Sequence, residues 1–398
     1  MRQRGQFWGG LWVLLMVPMA VGQPALGQTL QPAPEGRATA TAPPPLRPLP
    51  VADQAQVWSS LPWPLDRQPL LQAIDRSLTY LASPKAAADY RDYQVPEISH
   101  DRVWRSLQRL RQLVNTSPSQ AAFRAALAAE FELYQATGED GQGTVAFTGY
   151  FEPHFRASPV PTAEYRYPLY RRPVDLEAWP QPHPTRIDLE GVDGLQGSQG
   201  ALAGLELVWL ASRLEAFLVQ VQGSAKLVLP DGGVMAVGYA GRTDYPYTSI
   251  GRALVEDGKI PAGELSLPKL LEYFSEHPDQ LDSYLPRNPR FIFFQETPGG
   301  DPVGSLRVPV TAGYSIATDK SLMPPGAIAL VQFPLPQSVP GQGWIDQATT
   351  RLVLDQDTGG AILGPGRVDL FVGSGPEAGA IAGRLHGAGQ LFYLLLRP

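Results

Sequence analysis

Cysteine is absent from this chain of 398 residues. Its absence excludes disulfide bonds, catalysis by a thiolate, thiolate metal sites and an N-terminal cysteine that carries a diacylglycerol. Paired histidines are missing as well, because the five histidines lie far apart and none forms an HExxH pattern. No metal site is therefore indicated. The formal net charge of -6 gives no support for binding to nucleic acid.

Two further motifs are missing, and each absence removes a class of function. No GxGxxG pattern follows a strand-like segment, so no nucleotide cofactor is indicated. Ser224 lies in QGSAK rather than in GxSxG, which argues against a serine hydrolase of the nucleophile-elbow type. We therefore expect no cofactor.

Long apolar runs are confined to the N-terminus. In residues 1–27 two arginines precede an apolar run over 7–21, and small residues follow at Ala25 and Gly27. This arrangement predicts a secretion signal, and so an exported protein. The run is short for a membrane span and contains Pro18, although an uncleaved N-terminal anchor is the alternative.

Proline and glycine are abundant, with 41 and 40 residues respectively, which favours many turns and a β-rich body. Residues 28–52 are rich in proline, alanine and threonine and predict an extended tether. An apolar stripe at steps of three and four predicts a helix over 100–114. A second helix is expected over 117–136, with Ser117 or Ser119 as its N-cap.

The pattern changes to a period of two after Thr144, which predicts strands. A turn at 230–233 should join two of them as a hairpin, and helices are expected at 248–260 and 265–277. These features predict a mainly β core with helical additions. The predicted strands are 145–151, 165–170, 205–212, 216–229, 234–241, 290–296, 307–317, 327–335, 349–357, 367–373 and 390–396.

Asp369 stands inside the predicted strand 367–373, where apolar residues alternate. Aspartate is depleted in strands and costly to bury without partners. The ordinary interpretation is an acid that pairs with Arg367 or caps a turn. The alternative is a general acid, because Asp369 shares its face with Phe371, and an apolar environment would raise its pKa.

Asp357 and Asp319 also have two interpretations each. Asp357 precedes Gly359 and Gly360, so it is either a turn residue or a partner of Asp369 beside backbone that a ligand can approach closely. Asp319 either caps the turn before Pro324-Pro325-Gly326 or belongs to the site.

Clusters of aromatic rings, hydroxyl groups and planar amides suggest that the ligand is a glycan. Each cluster is a weak signal alone, since such side chains on strands commonly only pack or face solvent. The candidate ligand-binding residues of these clusters are Thr148, Tyr150, Gln220, Gln222, Ser224, Tyr239 and Tyr247.

Taken together, these segments resemble the MltA-type lytic transglycosylases of bacterial cell walls. The resemblance covers roughly residues 50 to 398, with the motifs in order and sensibly spaced, so it is far more specific than any lone motif. The matching segments are 147–153, 167–173, 219–232, 239–258, 288–294, 302–326 and 357–379.

The resemblance implies a double-psi β-barrel that carries three signature acids, Asp319, Asp357 and Asp369. A second β domain is expected to be inserted into the barrel, with a glycan groove between the two. The catalytic acid would be Asp369, and Asp357 would support it. Asp319, Gly359 and Gly360 join the expected substrate-binding residues. The expected domains are the signal 1–27, the tether 28–52, the barrel with its helices 53–151 and 291–398, and the insert 152–290.

The activity implied is cleavage of the β-1,4 bond between N-acetylmuramic acid and N-acetylglucosamine in peptidoglycan, which forms 1,6-anhydromuramic ends. The expected partners are glycan strands and, as further candidates, wall-synthesis proteins. The expected location is the periplasm or cell wall, with outer-membrane association left open because no lipid-bearing cysteine is present. Two alternatives remain: a polysaccharide hydrolase on the same barrel, with Asp357 as base, and a wall-binding protein without catalysis.

Overall fold

A computed structural model describes residues 44–398. The predicted signal, and the predicted tether up to residue 43, lie outside the described residues. The last part of the predicted tether is instead folded: residues 46–48 form a strand that pairs with 134–136. Leu46 is the physical reason, because its side chain is buried against the barrel. Within the described range, no helix has the length and apolarity needed to cross a bilayer.

Helices dominate the region before the barrel. The predicted helix over 100–114 is confirmed, and Ser99 caps it through a bond from Arg102 N. The next helix begins after the predicted cap Ser119 but ends at Glu130, because residues 131–136 are buried in the sheet as a strand. The five helices are α1 (Val51–Ser59), α2 (Arg67–Leu81), α3 (Pro84–Asp89), α4 (His100–Thr116) and α5 (Gln120–Glu130).

The strands of the described chain form two sheets. Short strands near the N-terminus lead into the first sheet, and the long hairpin of β11 and β12 is its largest unit. The strands are β1 (Leu46–Pro48), β2 (Phe131–Ala136), β3 (Val145–Glu152), β4 (His154–Ser158), β5 (Tyr167–Tyr170), β6 (Glu206–Leu210), β7 (Ser224–Val228), β8 (Val234–Arg242), β9 (Ile292–Thr297), β10 (Ser315–Ala317), β11 (Ile328–Val339), β12 (Gly343–Asp357), β13 (Arg367–Ser374) and β14 (His386–Leu396).

The first sheet closes into a six-stranded barrel. Its order is β14-β11-β12-β10-β13-β3, and β3 pairs again with β14, while β2 and β1 extend the sheet from β14. Two of the pairs, β10 with β12 and β13 with β3, are parallel and the others in the ring are antiparallel. The mainly β fold with a closed barrel, expected from the resemblance, is thus confirmed.

The second sheet has the order β5-β6-β4-β7-β8-β9. The predicted turn at 230–233 joins β7 to β8. Because β9 pairs with β8, the chain returns to the barrel after residue 297 rather than at 291 as expected. The helices of this half and of the C-terminal part are α6 (Arg186–Glu190), α7 (Arg213–Gln222), α8 (Ile250–Glu256), α9 (Leu267–Glu276), α10 (Leu281–Tyr284) and α11 (Gly375–Ala382).

Two strand predictions were wrong. The first part of the predicted strand 216–229 is helix α7, which Gly223 ends with a φ of 81°. Its alternation of apolar residues and glutamines imitates a strand, but Ala216 and Val219 lie three residues apart and pack into the core of the second sheet. Within the predicted strand 307–317 only β10 is extended, and Arg307 adopts a φ of 62° in a turn.

The barrel interior is closely packed, which makes the barrel a rigid support. Phe147 of β3 stacks on Phe333 of β11 with ring centroids 4.8 Å apart, and both are buried. Burial of such a ring contributes about 2–3 kcal/mol. The N-terminal helices belong to the same core, whereas the second sheet has a core of its own. Strand β13, which carries Asp369, is therefore held on both sides by packed strands.

Candidate active site

The centre of the candidate site is a row of paired residues across four barrel strands. Ala317 of β10 pairs with Asp357 of β12 on one side and with Asp369 of β13 on the other. Thr148 of β3 pairs with Asp369 on its far side. Because neighbouring strands lie about 4.8 Å apart, the Cα atoms of the two aspartates are about 10 Å apart. The barrel thus brings the two acids into one row.

Asp369 has the environment of a carboxyl group that is poised to hold a proton. Its side chain is half-buried, and burial raises the pKa of Asp369 to about 6. The Thr148 hydroxyl donates to Asp369 Oδ1 at 2.9 Å. This bond and the charge of Arg367 oppose the rise in pKa, whereas the charge of Asp357 adds to it. The raised pKa that the strand pattern predicted is present.

Asp357 is held by three donors. Tyr150 Oη donates to Oδ2 at 2.9 Å, and the backbone N–H groups of Ser305 and Thr358 donate to Oδ1 at 2.8 Å each. A carboxylate is an acceptor only, so three donors match its charged form. Burial, with the neighbouring charge of Asp357, raises the pKa of Tyr150 well above its usual range. Tyr150 therefore remains a protonated donor, and Asp357 is fixed in orientation.

A buried polar network behind Asp357 was missed by the sequence argument. Lys320 Nζ donates to the Asp355 carboxylate and to the Asp357 carbonyl, and lies 3.0 Å from Thr318 Oγ1. Tyr393 Oη also donates to Asp355, at 2.6 Å. Burial raises the pKa of Asp355, and the Lys320 ammonium opposes that rise. The available signal was an acid at a fully buried position of an apolar strand.

Asp319 makes hydrogen bonds of the kind expected for a turn residue. Its Oδ1 accepts from the backbone N–H of Ser321 at 3.0 Å and from its hydroxyl at 2.6 Å. Its Oδ2 accepts from Gly364 N at 2.8 Å. Asp319 thus ties its own turn to the loop after β12. Both carboxyl oxygens are engaged in this loop contact, which favours support of the loop over contact with a ligand.

The glycines after Asp357 are needed for close packing. A Cβ atom on Gly360 would lie 1.8 Å from Arg290 Nη1, and one on Gly359 would lie 2.9 Å from Ile362 Cγ1. The close approach expected at these glycines is present, but it is made by side chains of this chain. Arg290, which the sequence argument did not select, therefore lies directly against the loop that follows β12.

The predicted residues of the insert divide into two groups. Gln220 is buried and accepts from Arg186 Nη2 at 2.6 Å, so its amide oxygen is used within the fold. Gln222 accepts from Phe151 N at 3.0 Å and so links α7 to the barrel strand β3. Both glutamines lie on a helix, and not on a strand as predicted. Gln222, Ser224 and Tyr247 are partly accessible, and Tyr239 is 50% exposed.

No triad of candidate metal ligands occurs in residues 44–398, counting histidine, aspartate and glutamate side chains. The side-chain groups that converge on the barrel row are carboxyl, hydroxyl and phenol groups, with the Arg367 guanidinium 3.4 Å from the Thr148 hydroxyl. Carboxyl, hydroxyl and phenol groups can hold and transfer protons. The arrangement is thus suited to acid–base chemistry on a bond placed against Asp369.

Comparisons with known proteins agree with this arrangement. Residues 146–295 match the family model for the MltA specific insert domain, and residues 314–395 match the 3D domain. Membrane-bound lytic murein transglycosylase A of Escherichia coli K12 is 31% identical over 271 residues, which are 67% of this chain and 70% of the relative. The Vibrio cholerae protein of the same name is 31% identical over 65% of this chain and 68% of its own.

Solved structures show the same fold. A membrane-bound lytic murein transglycosylase from Agrobacterium tumefaciens is 28% identical, with a TM-score of 0.66 over 82% of this chain and 92% of that one. Escherichia coli MltA with bound chitohexaose is 24% identical, with a TM-score of 0.64 over 82% and 90% of the two chains.

Fold and site together define an enzyme whose acidic row is carried by a closed β-barrel, with a second β domain inserted in the chain. The chain belongs to the MltA family of lytic murein transglycosylases.

Proposed function

We propose that Asp369 is the single acid and base with which this lytic transglycosylase cleaves the bond between N-acetylmuramic acid and N-acetylglucosamine. The observation that carries the proposal is the half-buried carboxyl group of Asp369, whose pKa is raised to about 6 by burial. An acid with this pKa is protonated often enough near neutral pH to act as a donor. The hydroxyl of Thr148, 2.9 Å away, orients it.

The reaction needs only one such group. Asp369 gives its proton to the glycosidic oxygen as the bond from that oxygen to the anomeric carbon of muramic acid breaks. The muramic O6 hydroxyl then attacks the same carbon, and its proton goes to the Asp369 carboxylate. The ring closure forms a 1,6-anhydro end, no water is consumed and the enzyme returns to its starting state. An ordinary glycosidase needs a second carboxyl group as nucleophile or base.

Asp357 has a supporting role in this proposal. Its two oxygens already accept from Tyr150, Ser305 and Thr358, which leaves little capacity to activate a water molecule. Its negative charge in the same row would stabilise positive charge that develops at the anomeric carbon. It also favours the protonated form of Asp369. The engaged carboxylate speaks against the hydrolase alternative.

The groove for the glycan is proposed between the barrel row and the second sheet. Tyr239 is half exposed, and Tyr247 and Ser224 are partly exposed on the side of the second sheet. Aromatic faces next to hydroxyl groups suit the apolar and polar faces of sugar rings. The Escherichia coli member has been solved with bound chitohexaose, which supports a glycan as the ligand here.

Export is part of the proposal, because peptidoglycan lies outside the cytoplasmic membrane. Residues 1–27 have the features of a secretion signal. The relatives in Escherichia coli and Vibrio cholerae carry the description membrane-bound. Attachment of this chain would need a device other than a lipid-bearing cysteine, since the chain has no cysteine.

The test compares the wild-type protein with Asp369→Asn on purified peptidoglycan by mass spectrometry. Asparagine is close in shape but has no acidic proton, so activity should fall by about 10³-fold or more, with folding retained. Wild-type products should be lighter by one water than the products of hydrolysis. Hydrated products would contradict the transglycosylase mechanism, and an active Asp369→Asn variant would contradict the role of Asp369.

A further inference from the structure

Two arginines of the second sheet converge on one backbone oxygen. Arg290 Nε donates to the Tyr245 carbonyl at 2.7 Å, and Arg242 Nη1 lies 3.4 Å from the same atom. Strand pairing explains this, since Arg242 of β8 is the partner of Ile292 of β9. The two guanidinium groups, hereafter the arginine pair, are therefore within a few Å of each other.

The arginine pair has no counter-charge among residues 44–398, where no ion pair includes either side chain. The nearby Arg172, by contrast, is paired with Glu177. Arg290 is 8% exposed, and burial together with the charge of Arg242 lowers the pKa of Arg290. Arg242 is exposed, so the cost falls on Arg290, a buried cation with a like charge close by and no anion. An anionic ligand would remove this cost.

The arginine pair lies beside the proposed groove. Arg290 Nη1 is 1.8 Å from the position that a Cβ atom on Gly360 would take, so the guanidinium touches the loop after β12. Gly360 follows Asp357 by three residues, which limits the separation of their Cα atoms to about 11 Å. Tyr239, half exposed, lies next to the same charges, since Arg242, Arg290 and Arg172 all act on its pKa against the effect of burial.

We propose that the arginine pair binds a carboxylate of the peptide stem that muramic acid carries, and so makes the enzyme prefer stem-bearing glycan strands. The inference rests on the proposed function for its substrate. Sugar rings of a glycan strand are neutral, whereas the stems carry free carboxylates. Guanidinium groups bind carboxylates through two parallel hydrogen bonds, which are stronger than neutral ones. In stem-free strands the lactyl group offers a carboxylate of the same chemistry.

Binding can be measured without turnover in an Asp369→Asn background. The probes are stem-bearing muropeptide oligomers, the same oligomers after amidase treatment, and chitohexaose, which has no carboxylate. Arg242→Gln should weaken binding of the stem-bearing oligomers by about tenfold and leave the affinity for chitohexaose unchanged. Arg242→Lys should weaken this binding by less than Arg242→Gln does. The matched control is Arg252→Gln on the exposed face of α8, which should change none of the three.

The possible outcomes distinguish a failure of the proposed carboxylate subsite from a failure of the proposed function. Weakening confined to the amidase-treated oligomers would assign the lactyl carboxylate and overturn the stem assignment. Equal weakening for treated and untreated oligomers would overturn the preference for stems. Equal weakening that includes chitohexaose, or no weakening, would overturn the carboxylate subsite itself. If the Asp369→Asn parent binds glycan and the Arg242→Gln variant binds it equally well, the subsite is overturned and the proposed function stands. If the Asp369→Asn parent binds no glycan, the subsite and the proposed function are both overturned. Arg290→Lys, with its thermal melting recorded, provides the second variant at the buried position.

Discussion

At the scale of single residues, the protonation of Asp369 is a balance between burial and its neighbours. Burial favours the neutral acid, and the hydrogen bond from Thr148 favours the carboxylate. The hydroxyl is therefore more than a spacer. It keeps the carboxyl group oriented at 2.9 Å and prevents a still larger rise in its pKa. A proton donor that must also accept a proton needs both forms to be accessible.

Thr148→Val should move the pH dependence of kcat/KM upward. A general acid works when protonated, so activity declines as the pH rises through the pKa of about 6. Removal of a bond that stabilises the carboxylate raises that pKa, and the decline should begin up to about one pH unit higher. The measurement is kcat/KM against pH on soluble glycan strands.

Thr349→Val is the matched control, because Thr349 lies on the β11–β12 hairpin and its hydroxyl bonds to the Gln347 carbonyl. Its pH profile should equal that of the wild type. A decline that moves to lower pH in Thr148→Val would show that the hydroxyl stabilises the neutral acid instead.

The core of the site could be predicted from the sequence, because local pattern and chemistry coincide there. Asp369 and Thr148 stand on alternating strands that the chain pairs in register, and Tyr150 reaches Asp357 from the same face of β3. Gln220 could not be assigned, since its partner Arg186 is 34 residues away in the sequence. The arginine pair had no local signal either, because its members meet only when β8 and β9 pair.

At the scale of elements, the alternation of apolar and polar residues identified most strands. It failed where a helix and a strand give similar sequence patterns. The segment of α7 alternates apolar residues and glutamines, yet Gly223 ends a helix there. The segment 131–136 continues a helical composition, yet it is buried as β2 between β1 and β14. In both cases the tertiary environment decides, and burial on more than one side is not visible in a short window of sequence.

Lys320→Met should destabilise the barrel, because Lys320 connects β12 to the turn after β10. Lys320 holds the buried Asp355 carboxylate and the Asp357 carbonyl. Loss of one partner leaves the other charge buried, which costs about 3–5 kcal/mol in the free energy of unfolding. Urea unfolding followed by circular dichroism provides the measurement, and kcat should fall as Asp357 loses its support.

Lys85→Met tests whether any lysine would have the same effect. Lys85 pairs with Asp89 on the surface of α3, and such exposed pairs contribute about 0–1 kcal/mol. The double variant Lys320→Met with Asp355→Leu should recover part of the lost stability. A Lys320 variant as stable as the Lys85 variant would contradict the role of the buried pair.

At the scale of the whole molecule, the burial of Asp369 lowers the stability of the folded protein when this acid is charged. The pKa of Asp369 is higher in the folded protein, about 6, than in an unfolded chain, about 3.9. The folded state therefore binds more protons between these values, and stability falls as the pH rises through this window. Asp369→Asn should be more stable than wild type by about 1–3 kcal/mol above pH ~6.5, with no difference below pH ~3.5. Melting temperatures across pH would measure this, and a difference that grows toward acid pH would contradict it.

The closure of the barrel also has a consequence for when the enzyme becomes active. Strand β14 pairs with β3 beside Thr148 and also pairs with β11. It is the last barrel strand in the order of the chain. Until it arrives, β3 has an open edge and the register of the acidic row is unsupported. Contacts between distant parts of a chain form late in folding. A chain in which β14 has not yet paired therefore lacks the strand that supports Thr148 beside Asp369.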